Sequence, residues 1–198
     1  MDRRIQKTRQ EIKEAFVHLL QQKSFDDLTI TDLTEQANIN RTTFYKHFED
    51  KHDLLAFYEE ELLENVKMMM TMERPFEVGL PLEEQQAFHA LVEMYRYINE
   101  ERALIEVMLQ PTIQNAIIPQ LQYLLEKFIA KNLLPYKQPD NPLVSKEIVV
   151  VYQAAAHLGV MRHWITKKLA YAPEEMAMMV MNIMMEGPFT VLKRSQKF

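Results

Sequence analysis

The chain contains no cysteine, which excludes disulfides and thiolate metal centres and fits a reducing compartment. Its three glycines, Gly79, Gly159 and Gly187, stand far apart, so no phosphate-cradling loop of the P-loop or dinucleotide-binding kind can be written, and nucleotide-dependent enzymes are disfavoured. No apolar run approaches the roughly 18 residues that a membrane span needs. The start, Met1-Asp2-Arg3-Arg4, leads into a charged helix instead of the apolar core of a signal peptide, so a cytoplasmic protein is expected. Metal-ligand spacing is missing too: there is no HExxH, and His157 and His163 are six residues apart, so one helix does not present both to one ion. No carboxylate pair or nucleophile with a base can be assembled, which argues against an enzyme and leaves no cofactor to expect.

What is present is an ordinary globular composition, 47% hydrophobic and 26% charged over 198 residues, enough for a small domain plus a larger one. A net charge of −5 does not suit a protein that coats nucleic acid indiscriminately. The positive charge is nevertheless gathered at the start, with Arg3, Arg4, Lys7 and Arg9 against the single acid Asp2.

Helix formers dominate and apolar residues recur at three and four, so an almost entirely helical chain is predicted. The first helix spans about Arg4 to Gln22, with Ile5, Ile12, Phe16, Leu19 and Leu20 on one stripe. Ser24-Phe25-Asp26-Asp27 interrupts it. Thr29, with Asp32 three residues on, forms a capping box for a short helix to Ala37. Asn38 supplies the left-handed turn and Asn40 caps a third helix, Arg41 to about Phe48, whose Phe44 and Phe48 lie one turn apart on its buried side. Asp50-Lys51 opens a longer helix that reaches Met68-Met69-Met70 and Met72 and is expected to connect two domains, residues 1–50 and 51–198. After an interruption over 75–81, five helices follow: 82–99, 101–110, 113–134, 142–169 and 173–193.

Two short helices joined by a tight turn, the second carrying Arg41, Thr42, Thr43, Tyr45, Lys46 and His47 on its outer side or margins, meet what major-groove reading needs. Arg41 suits guanine, Thr42 or Thr43 a thymine methyl or base edge, and Tyr45, His47 and Lys51 the phosphates. Tyr45 equally suits simple packing at a helix boundary. The stretches Leu28-Thr29-Ile30-Thr31-Asp32-Leu33, Ala37-Asn38-Ile39-Asn40 and above all Thr43-Phe44-Tyr45-Lys46-His47-Phe48-Glu49-Asp50-Lys51 resemble the TetR/AcrR family of one-component regulators. The resemblance covers the first quarter to third of the chain. It departs from the family pattern at Asn38, where glycine is commoner, and at Glu49, where a small residue or proline is frequent.

The resemblance implies an all-α fold: a helix-turn-helix DNA-binding domain joined by a long helix to a helical ligand-binding and dimerisation domain. It implies that Thr29 and Asn40 start the two short helices at the DNA, that Arg41 to Thr43 read bases of double-stranded operator DNA, and that Tyr45, His47 and Lys51 anchor the backbone. It further implies a homodimer through the last two helices, with two reading heads about one DNA turn, roughly 34 Å, apart. This agrees with a helix from Ile148 to Trp164 that is apolar nearly all round, with Ala154, Ala155, Ala156 and Gly159 permitting close approach. A small-molecule effector is expected. Met68, Met69, Tyr95, Met108, Tyr123, Tyr152, Met161 and Trp164 are candidate pocket residues for it, although each alone also suits ordinary packing. Repression by the dimer, released by that effector, is the expected function. The rival is a protein of the same fold that acts as a co-activator or adaptor through protein contacts.

Overall fold

The structure is a computed structural model, and it describes residues 3–71, 82–110, 113, 117–133 and 143–193. The interruption expected over 75–81 lies outside them, as do Met72, Pro111, Pro135, Pro139 and Pro142. The described residues form helices and connecting turns without a strand. They are α1 (Arg3–Leu20), α2 (Ile30–Gln36), α3 (Arg41–Phe44), α4 (Lys51–Thr71), α5 (Leu82–Glu100), α6 (Arg102–Met108), α7 (Ile117–Leu133), α8 (Lys146–Thr166), α9 (Pro173–Glu186) and α10 (Pro188–Lys193). The all-α architecture expected from periodicity is therefore the one observed. Two details differ from the sequence reading. The third helix is regular only to Phe44, with turns continuing to Phe48, and the last expected helix is two, because Gly187 (φ 82°) followed by Pro188 breaks it.

The chain forms two compact units, and α4 passes from one into the other. Unit one comprises residues 1–63 and 103–117, and unit two comprises 64–102 and 118–198. Unit one is larger than the segment 1–50. Leu54, Leu55 and Tyr58 of α4, Leu104, Val107 and Met108 of α6, and Ile113 all join Ile12, Phe16, Leu33, Phe44 and Phe48 in one apolar core. One 18-residue helix with two short ones buries too little surface to stand alone, and these additions supply the missing apolar contacts. Gln110 fastens the returning segment by donating from Nε2 to Leu20 O at 3.3 Å.

In unit two, α5 packs along α9. Trp164 of α8 is fully buried and its indole N–H donates to Tyr171 O at 3.2 Å. Arg102 Nη2 donates to Trp164 O at 2.7 Å and Ile165 O at 3.0 Å while its guanidinium lies 5.3 Å from the Trp164 ring, so one cation adds charged donors to carbonyls at the C-terminus of α8 that also accept from Leu169 N and Lys168 N. Tyr95 of α5 meets Trp164 edge-on and stacks on His157 at 5.6 Å with an 11° interplanar angle. Neither ring nitrogen of His157, nor the Tyr95 hydroxyl, has a partner among the described residues.

Burial holds His157 neutral, with its pKa pushed down to about 4 from 6.5. A histidine whose folded pKa lies below its unfolded one contributes stability that is present above the unfolded value and is lost as pH falls toward the folded one. Stability is expected to decline between pH 6.5 and about 4, at no more than about 1.4 kcal/mol per unit from this residue. Urea denaturation of wild type and His157→Phe across that range checks this: the variant's profile should be flatter.

Candidate nucleic-acid interface

The helix-turn-helix is set by side chains that satisfy its own backbone. Thr29 sits in extended conformation before α2, and its hydroxyl accepts from Asp32 N at 3.1 Å while Asp32 Oδ2 accepts from Thr29 N at 2.9 Å. The Thr29 hydroxyl donates to the same carboxylate at 2.7 Å, and Lys23 Nζ lies 3.0 Å from Asp32 Oδ1. These hydrogen bonds, Thr29's foremost, lower the Asp32 pKa to about 2, so it stays ionised as the cap. Asn38 takes φ 52°, the left-handed conformation that reverses the chain within a few residues, and Ile39 N returns to Thr34 O at 3.0 Å. Asn40 Oδ1 then accepts from Thr43 N at 2.7 Å, which starts α3.

This leaves a divided surface. Phe44 and Phe48 are buried, while Arg41, Thr42, Tyr45 and Lys46 are exposed, Tyr45 at 56%. Thr43 is half-buried and its hydroxyl donates to Asn40 Oδ1 at 2.9 Å, so its polar end belongs to the cap and its methyl remains for an apolar contact. Arg41 Nη2 donates to Thr31 Oγ1 of α2 at 2.7 Å. Thr31 is a part of the site that sequence reasoning missed, because a contact ten residues away leaves no periodic signal. His47 is half-buried beside Phe48, and desolvation first, then Arg9 and Lys46, lower its pKa. The imidazole is thus a neutral N–H donor at neutral pH. Arg3, Arg4 and Lys7 are exposed on the first turns of α1.

Lys51 is bonded to the backbone of its own unit. Its Nζ donates to Phe25 O at 2.8 Å, Asp26 O at 2.8 Å and Leu28 O at 2.9 Å, and lies 5.0 Å from the Phe25 ring centroid. An ammonium has three protons and all three are engaged. The arrangement gives Lys51 the loop between α1 and α2 to hold.

A family model described as "Bacterial regulatory proteins, tetR family" matches residues 12–56, and one described as "Transcriptional regulator C-terminal region" matches residues 85–186, over half of the chain. The chain belongs to the tetR family. Members of that family are DNA-binding transcriptional regulators, not enzymes. An uncharacterized HTH-type transcriptional regulator of Bacillus subtilis, YxbF, is 26% identical over 185 residues, covering 89% of this chain and 44% of that protein. The tetR-family chain described here thus spans under half the length of that relative. Among solved structures, the dihydroxyacetone kinase operon activator DhaS matches with a TM-score of 0.62 at 19% identity, covering 89% of this chain and 93% of that one. NalD, the secondary repressor of the MexAB-OprM efflux pump in Pseudomonas aeruginosa, matches with a TM-score of 0.66 at 17% identity, covering 94% and 98%. Both share the fold.

The eight candidate pocket residues of this tetR-family chain fall in both units. Met108 packs in the core of unit one, whereas Met68 and Tyr123 are exposed at 52% and 57%. Met69 is half-buried. Tyr95 and Trp164 touch, Met161 is buried on the same helix as Trp164, and Tyr152 is exposed on it.

Lys51→Met is expected to lower the unfolding free energy by about 2 kcal/mol, through three carbonyls losing a charged donor. At a concentration where it remains folded, its DNA binding should keep the wild-type salt slope, whereas loss of a phosphate contact would reduce that slope by about 1. Urea denaturation and salt-titrated gel shifts separate the two.

Proposed function

We propose that this chain is a sequence-specific repressor that binds operator DNA as a twofold dimer and is released by a small-molecule effector. One observation carries the reading: an outer surface of Arg41, Thr42, Tyr45 and Lys46 is exposed above the buried Phe44 and Phe48. In a major groove, Arg41 leaves Thr31 for a guanine edge, and Thr42 with the Thr43 methyl meets base edges or a thymine methyl. Tyr45, Lys46 and His47 bond phosphates at the margin, with the capped N-termini of α2 and α3, marked by Thr29 and Asn40, near the backbone. A cytoplasmic location accords with this function.

A single head is weakly charged, so affinity requires two. The outer faces of α8 and α9 supply the means: Ile148, Val151, Tyr152, Met178 and Met185 are 42–61% exposed apolar or aromatic side chains, and Ala155, Ala156 and Gly159 keep α8 slim. Faces of this kind become stable when covered, and a second copy covers them symmetrically. Release then follows if the effector favours a dimer whose head spacing fits DNA poorly, its differential affinity setting how far occupancy falls. Repression needs only occupancy of the promoter. The similarity to the operon activator DhaS supports a second reading, activation through contacts with another protein.

Lys46→Ala is expected to weaken binding about equally on all sequences and to reduce the salt slope by about 1, whereas Thr42→Ala changes which sequences are preferred when bound DNA is selected from random pools. Val151→Glu is expected to shift the protein to monomer in sedimentation velocity and to lose operator retardation. Retention of both dimer and binding would remove α8 from the interface. A reporter driven by the bound promoter reads the sign: expression rises on deletion of the gene for a repressor and falls for an activator.

A further inference from the structure

The threonine hydroxyls of α2 and its cap have different partners. Thr29 donates to Asp32 at 2.7 Å, and Thr34 donates to Ile30 O at 2.9 Å and Thr31 O at 3.1 Å, so both serve their own helix. The Thr31 hydroxyl instead reaches across the turn to α3, accepting from Arg41 Nη2 at 2.7 Å, and both residues are exposed. Asp32, next in sequence, is already bonded to Lys23 Nζ at 3.0 Å and to Thr29, and among the described residues no carboxylate pairs with Arg41. The cation at the first position of α3 is therefore held by a neutral oxygen that a stronger acceptor can replace.

We infer that Thr31 is a positioning residue that acts through Arg41. Its hydroxyl is the acceptor on which the guanidinium stays whenever the base pair opposite offers no guanine edge, and it thereby widens the set of operators the head accepts. This role rests on the reading of Arg41 as a base-contacting residue in the major groove. A bidentate bond to guanine is worth about five- to a hundredfold in discrimination. Much of that factor comes from the opposite case, in which a guanidinium stripped of water meets no acceptor. One net hydrogen bond to a hydroxyl is worth about fivefold, so guanine takes Arg41 where it is present. Where guanine is absent, Thr31 is already in contact and removes about that factor from the penalty. A carboxylate in place of Thr31 would hold the cation against guanine as well, and an apolar side chain would leave it no acceptor. The hydroxyl lies between these extremes.

The test uses the full chain. Duplex DNA is selected from random pools by wild type and by Arg41→Ala, and the base pair whose preference Arg41→Ala abolishes marks the one that Arg41 reads. Two duplexes then serve as probes: the selected sequence, and the same sequence with that pair exchanged in one half-site. Fluorescence anisotropy at fixed salt gives Kd for each. Thr31→Val keeps the shape and β-branching of threonine and lacks only the hydroxyl. It should bind the selected duplex as wild type does, which also shows that the variant is folded, and the exchanged duplex about fivefold more weakly. Thr31→Ser, which keeps the hydroxyl, should show the wild-type ratio between the two duplexes. In the Arg41→Ala background, Thr31→Val should leave that ratio unchanged. An equal loss on both duplexes overturns the inference, as does a widening that persists without Arg41. A narrowed ratio also overturns it, since that is the result of a hydroxyl that aims Arg41 at guanine. If Arg41→Ala changes no base preference, the reading of Arg41 itself fails and the role of Thr31 with it. An altered preference in Arg41→Ala beside an unchanged ratio in Thr31→Val removes the role of Thr31 alone.

Discussion

One ammonium group holds the reading head together. Lys51 stands at the first residue of α4 and its three protons go to three carbonyls between Phe25 and Leu28. That loop pairs only Phe25 O with a backbone N–H of its own, that of Leu28 at 3.3 Å, and it delivers Thr29, the cap of α2. The position of α2 fixes Asn38 and Asn40, and these fix α3. A point charge on a flexible stem suits this task, since it bonds three acceptors that no planar guanidinium would meet together. The aromatic ring of Phe25 beneath it adds attraction in a partly desolvated place.

The local rules of the head were legible in sequence because they act over three or four residues. The Thr29–Asp32 box, the positive φ of Asn38, the Asn40 cap and the Phe44–Phe48 pair each appear where residue type and spacing require. What could not be read acts across long separations. Nothing in the pattern of Leu104, Val107 and Met108 states that a helix some fifty residues beyond α4's start belongs to the head core, since periodicity reveals a buried face but not its partner. The same limit explains Lys51. A lysine beside a DNA-reading helix has the chemistry for phosphate, and only the fold shows its protons already committed.

Unit two follows a different economy of contacts. Its interior is organised around Trp164, with Arg102 closing the end of α8 and Tyr95 carrying the order inward to His157. The exposed ion pair of Arg96 with Glu174, at 2.6 Å, aligns α5 and α9 but contributes little stability in water. Among the described residues the polar atoms of Tyr95 and His157 are left open inside this core, while the outer faces of α8 and α9 carry exposed apolar side chains.

The four-residue length of α3 has a consequence for how such a protein changes its preferences. A helix this short is held by its caps and by Phe44, with Phe48 on the turns that follow, while Thr42 and Lys46 are exposed and belong to no part of the core beneath. Exchange of those two side chains leaves the scaffold's stability nearly untouched. Descendants of this sequence are thereby free to acquire new targets by single steps, each passing through a folded intermediate, while the framework residues stay fixed.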